Sequence, residues 1–376
     1  MTVTTIPKVR PNAAEYRDRI RQGDPVLSLV ARRKLSPIAF GLAVALAINL
    51  ARLAVAWRDG TLFTTSPVGF FRDPAAFLNM AFAIPVFAWY AWTPAGLGTL
   101  IAGLLSNRVF RIRGRPTFVD EVIVQLCRRR WLWLAYGGAI GASLMSLPGY
   151  LARMAARDSW SMATPASVAL SLIWAATGFF AAFRIVTYYA VVRMELRRLF
   201  ARHRVRVRPL HPDRCGGLAP LGVFSIRVSY LMTLLAAFLV VTVMTRSYLA
   251  YGEPRLEFGL DLVVGFPVLA LLSAFIFFAL PAVAHDSMSK AKDLLLMRIN
   301  RRFETEYRLL QKNLEKPDTD LESGLKRLGD LQKLHETTSN FPVWPFDVRT
   351  LSRFASSWLT PIAIAALTTL VKVLLD

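Results

Sequence analysis

Apolar runs of about 20 residues recur along this chain, and basic clusters separate them. A helix of that length crosses about 30 Å of hydrocarbon. Inside a bilayer every backbone N–H and C=O must be bonded within its own segment, so the pattern restricts the chain to a bundle of membrane-crossing helices. Read in order, the runs are 37–57, 76–105, 131–151, 167–192, 228–249, 260–283 and 358–375. The expected fold is therefore all-α: a polytopic membrane protein of seven transmembrane helices.

A net charge of +21 could instead mark a nucleic-acid binder, but such a protein gathers its basic residues on a polar domain. Here they punctuate apolar runs and read as topology signals, which leaves no role for nucleic acid. Lys and Arg number eight in 1–36, seven in 106–130, seven in 197–214 and thirteen in 285–355, against about two in each opposite loop. That bias puts the N-terminus inside and the C-terminus outside, in the inner (plasma) membrane of a cell. The short outer loops exclude an extracellular ligand-binding domain. Both cysteines, Cys127 and Cys215, fall on the reducing side, where a disulfide is not expected.

The expected organisation has four parts. Residues 1–36 form a cytoplasmic basic amphipathic arm, with helix starts at Asn12 and at Asp24-Pro25, lying on the membrane surface. Residues 37–284 form a six-helix transmembrane region with inner-face loops 106–130 and 193–227. Residues 285–357 form a cytoplasmic helical hairpin and turn, and 358–376 the seventh helix. Within the spans, Arg52 is expected to snorkel beside Trp57, and Pro85 and Pro94 to kink the second helix. Gly137 and Gly141 stand at GxxxG spacing, a helix-packing signal. Arg184 lies inside the fourth span, where a charge marks either function or snorkelling into the aromatic belt of Tyr188 and Tyr189; snorkelling is the favoured expectation.

The hairpin is expected from two stripes at helical spacing. Leu296, Ile299, Phe303, Tyr307 and Leu310 form one, and Leu321, Leu325, Leu328 and Leu331 the other, with Pro317 between them. The stripes can satisfy each other or pair between subunits. FPVWPFD (341–347) follows as a turn pinned at the membrane surface, with Asp347 as N-cap of the last helix.

The densest run of unusual residues is HPDRCGGLAPLG, 211–222. His211, Asp213 and Cys215 offer three metal-ligand types, but no HExxH or CxxC spacing accompanies them, and whether they bind metal stays open. The same residues spell a tight turn, with Asp213 bonding backbone amides and Gly216 and Gly217 supplying positive φ. In topological order this stretch meets His285-Asp286 at the end of the sixth span and Trp344 and Asp347 in the turn. A structural junction is the expected role, and a metal or regulatory site there would need His211 and His285 to approach each other. In the last span Ser357, Thr360, Thr368 and Lys372 share one side, which must face protein or a water-filled pore.

The HPDRCGGLAPLG stretch, HDSMSKAK at His285 and FPVWPFD together resemble a family of bacterial integral membrane proteins, over roughly the C-terminal half of the chain. That resemblance implies no activity. The arrangement is similar in topology to insect chemoreceptor channels, where the final span lines a pore. The resulting expectation is a channel-like or sensory membrane protein acting through its cytoplasmic face. The alternatives are a non-conducting scaffold or signalling partner and, third, a metal-dependent enzyme on that face. An enzyme is the less expected class. No cofactor is expected, no catalytic residue is assigned, and the partners are the bilayer, anionic lipid at the cytoplasmic face, a second copy of the chain and a soluble protein.

Overall fold

The computed structural model describes residues 12–107, 109, 115–156, 159–202, 207–208, 211–251, 260–314, 321–346, 350–359 and 363. Helix makes up 85% of the structure and no strand occurs among the described residues, so the class is all-α. The helices are α1 (Ala13–Gln22), α2 (Pro25–Arg32), α3 (Pro37–Arg58), α4 (Pro74–Ser106), α5 (Arg115–Leu126) and α6 (Arg129–Ala156). There follow α7 (Pro165–Arg202), α8 (Ala219–Tyr251), α9 (Leu260–Ala279), α10 (Pro281–Leu314) and α11 (Leu321–Ser339). Residues 350–359 are also helical.

Five helical stretches are long and apolar enough to cross a membrane: Pro37–Arg58, Ala76–Ser106, Pro165–Ala201, Ala219–Met244 and Pro267–Lys312. They make this a multi-pass membrane protein. The third expected span is one helix, α6, but it is not among the five; Gly137, Gly138, Gly141, Ser143 and Ser146 dilute its apolar content. The seventh falls beyond 359 almost entirely outside the described residues.

The starts of the first three helices follow local chemistry. Asn12 Oδ1 accepts from the amides of Ala14 and Glu15, Asp24 Oδ1 from Val26 and Leu27, and Ser36 Oγ from Ala39. Pro25 and Pro37 occupy first helical positions, where a missing N–H costs nothing.

The long helices outrun the bilayer. α4 has 33 residues, about 50 Å, and stays one helix with Pro85 and Pro94 inside it. Gly41 of α3 packs directly on the Ile84 carbonyl of α4. Since the two helices run in opposite directions, the start of α3 lies about one turn further along, beside Ala88–Trp92. The rest of α4 therefore projects past the start of α3, and the N-terminal arm covers it. The arm packs closely on α4 along this projecting part. A Cβ at Gly98 would come within 2.5 Å of the Ala13 carbonyl oxygen, so α1 and α4 touch backbone to backbone. Ile20 and Leu27 of the arm share one apolar core with Leu97 and Leu104 of α4, Val122 and Leu126 of α5, Leu196 of α7 and Leu221 of α8.

At the opposite end the loops form a small cap. Asp73 accepts from Ser159 Oγ (3.2 Å) and from Trp160 Nε1 (3.1 Å), and the Trp160 amide donates to Val68 O (2.8 Å). Arg52 does not snorkel: it is 5% exposed and lies 4.9 Å from the Trp160 ring centroid. A buried indole face offers the guanidinium a cation–π contact in place of water.

α9 and α10 join at Leu280. The Tyr189 hydroxyl of α7 donates to Ile276 O and accepts from the Leu280 amide (3.0 Å). It sits where the helix's own Leu280-to-Ile276 hydrogen bond would be. Arg193 Nε donates to Ala279 O (3.0 Å) one turn along α7. α10 and α11 then pack as an antiparallel hairpin. Gly324 lets α11 approach Leu310, and buried Glu306 pairs with Arg302 (2.9 Å) and reaches Arg327 of α11 (3.9 Å).

Candidate functional site

The 211–222 stretch folds as a turn built around one carboxylate. Asp213 Oδ1 accepts from the Cys215 and Gly217 amides (both 3.0 Å), and Oδ2 from the Ala219 amide (3.3 Å), the first residue of α8. His211 Nδ1 lies 2.8 Å from Asp213 Oδ1. Arg214, Gly216 and Gly217 have φ of 56°, 68° and 95°, a run of left-handed backbone that glycine relieves at two of three positions. Cys215 is buried and forms no disulfide.

Burial raises the pKa of Asp213, but the Gly217 and Cys215 amides, His211 and the Ala219 amide outweigh it, so the carboxyl stays below its usual value. A lowered carboxylate contributes stability above its unfolded pKa, near 3.9, that is lost as pH falls through the folded value. Asp213→Asn should therefore cost about 1–2 kcal/mol at neutral pH, read by thermal melting, and the gap to wild type should close below about pH 4.

The 341–346 turn lies against this stretch and against α10 at once. A Cβ on Gly216 would meet Val207 and Phe341, and one on Gly222 would run into the Pro345 carbonyl. On the α10 side, His285 stacks on Trp344 (centroids 4.5 Å apart), and its Nδ1 lies 3.0 Å from Val343 O. Lys292 Nζ donates to Ser339 O (2.5 Å) and Phe341 O (3.1 Å). Asp286 is exposed beside His285, and Asp347 lies outside the described residues. The turn thus joins the helix ends named by His211, Asp213, Cys215, Gly216, Gly217, His285 and Trp344. No group of three or more His, Cys, Asp or Glu side chains able to hold a metal ion occurs among the described residues.

Of the polar side in the last helix, Ser357 Oγ lies 3.3 Å from Thr233 Oγ1 of α8 and donates to Phe354 O (2.7 Å). Trp358 Nε1 donates to Ser273 Oγ of α9 (3.0 Å). At this position the polar groups join helices. Thr360, Thr368 and Lys372 lie outside the described residues.

The most deeply buried charges are elsewhere. Arg184 is 1% exposed and Asp24 is fully buried, with Arg184 Nε donating to Asp24 Oδ2 (2.9 Å). Tyr188 donates to Oδ2 (3.3 Å) and accepts from Arg184 Nη2 (2.9 Å), while Tyr90 donates to Oδ1 (2.8 Å). Five donors therefore converge on one carboxylate: two amides of α2, two phenols and a guanidinium. Arg184 also lies 4.0 Å from the Tyr188 ring centroid, while its Nη1 is buried with no hydrogen-bond partner. The expectation that Arg184 snorkels is overturned: its counter-charge comes from the arm. Cys127 closes the same region, its Sγ 3.8 Å from Arg19 O and against Gly23, where a side chain would not fit. Sequence reasoning found Asp24 as a helix start and Arg184 as an unpaired charge but did not join them. An arginine buried inside a span favours a nearby carboxylate, and Asp24 stands immediately before the largely apolar octapeptide PVLSLVAR.

No protein-family model matches the chain, and neither a curated protein nor a solved structure matches it.

Proposed function

We propose that this chain is a sensory membrane protein that works through its cytoplasmic face, with seven spans, its N-terminus inside, and its place in the inner (plasma) membrane. The observation that carries this is the continuity from span to hairpin. α10 leaves the Leu280 joint as one 34-residue helix, about 51 Å long, and ends in a two-helix hairpin. Its base is gripped by α7 through Tyr189 and Arg193 and by the 341–346 turn through His285 and Lys292. A shift among the spans therefore has a direct route to the hairpin, where Phe303, Tyr307 and Leu325 are exposed and free for a soluble partner. A pore has less support, because Ser357 is engaged with Thr233.

Photo-crosslinking from Phe303 and Leu325 in intact membranes tests the proposal. A discrete soluble partner should be captured, and deletion of 321–339 should abolish capture. No capture from either position would overturn it. Ion flux through liposomes holding the pure protein would replace it with a channel.

A further inference from the structure

α4 and α8 leave a shallow cleft on the outside of the bundle, walled by Trp92, Gly96 and Thr99 on one side and Pro220, Val223 and Arg227 on the other. Its walls are built. Trp92 stacks on Phe224 with ring centroids 6.2 Å apart, and Trp89 Nε1 donates to the Arg227 carbonyl (3.1 Å). The lining is apolar apart from Thr99 and Arg227, and Thr99 spends its hydroxyl on Ala95 O (2.9 Å). The Arg227 guanidinium lies over the Trp92 ring (5.7 Å) and is exposed; it forms no ion pair among the described residues.

The height of the cleft decides what can fill it. Trp89 and Trp92 stand on α4 beside the start of α3, the first helix long and apolar enough to cross a membrane. Two indoles and an arginine at such a boundary are the usual membrane-interface anchors. Here Trp92 and Arg227 also line a dent, with the Arg227 charge at its rim.

We infer that this cleft binds the headgroup of an anionic phospholipid, its phosphate on Arg227 and its glycerol and upper acyl carbons against Trp92 and Val223. A phosphate oxygen accepts charge-assisted hydrogen bonds from the guanidinium, and the apolar wall removes water from one side of them. A single arginine would hold free phosphate weakly, whereas the bilayer presents lipid phosphate at this height at high local concentration.

Native mass spectrometry of the delipidated protein, titrated with phosphatidylglycerol, tests the inference. Losing one charge-assisted contact corresponds to about tenfold or more in affinity. The tightest phosphatidylglycerol adduct should therefore weaken by at least about tenfold in Arg227→Ala and be largely kept in Arg227→Lys. Val223→Trp, at a position 50% exposed and outside the core, should block the cleft and weaken the same adduct, which covers the case in which Arg227→Ala fails to fold. Unchanged binding in the variants that fold would overturn the inference. So would equal binding of phosphatidylcholine with the same chains. Displacement by an equal concentration of soluble glycerol phosphate would reassign the site to free phosphate.

Discussion

Asp24→Ala is expected to destabilise the protein by about 3–5 kcal/mol, the largest effect of any single substitution considered. The change removes the counter-charge of a guanidinium that is 1% exposed and already has one nitrogen without a partner. It also removes the cap of α2 and leaves the Tyr90 and Tyr188 hydroxyls without their acceptor. Trypsin should then cut the arm at Arg17, Arg19 or Arg21 in membranes where wild type resists. Replacing both charges with apolar residues of similar size, as in Asp24→Leu with Arg184→Met, should recover much of the loss, because the isolated charge dominates the cost. If Asp24→Ala melts like wild type and its arm stays protected, the ion pair is not what fastens the arm.

The second large effect is expected at Gly222. In Gly222→Val the new side chain meets the Pro345 carbonyl and lies 3.2 Å from Phe346 Cβ. The first obstacle is backbone and cannot rotate away, so the turn must separate from α8, at a cost of about 1–3 kcal/mol or more. Gly141→Ala supplies the contrast. Nothing lies within 4 Å of a Cβ there, and alanine should stabilise α6 by about 0.5–1 kcal/mol through helix propensity. Thermal melts of the two variants should move in opposite directions. A stabilised Gly222→Val would mean that the 341–346 turn does not hold the helix ends together.

What could be read from the chain was mostly what neighbouring residues decide. Asn12 and Asp24 begin helices because a short polar side chain reaches amides two or three residues on. Asp213 organises its turn for the same reason. Contacts far apart in sequence were not legible. Arg184 reads as a snorkelling residue until α7 is seen beside Asp24, 160 residues away. The two hairpin stripes pack on each other only in part. Ile299 is buried and Leu310 meets Gly324, but Phe303, Tyr307 and Leu325 face outward while the charged Glu306 is buried. Apolar spacing alone could not foresee that Arg302 and Arg327 would satisfy a carboxylate on the packed face.

The Tyr189 hydroxyl makes the Leu280 joint unlike the helices on either side. A peptide hydrogen bond ties one turn to the next within a single element, whereas this one is relayed through another helix. α7 thereby contacts the junction of α9 and α10 directly, at the turn where their directions are set. With about 51 Å of helix beyond the joint, a swing of about 5° would carry the far end of α10 by about 4 Å. If the chain works as proposed, the hairpin is a lever held at its base by Tyr189, Arg193, His285 and Lys292.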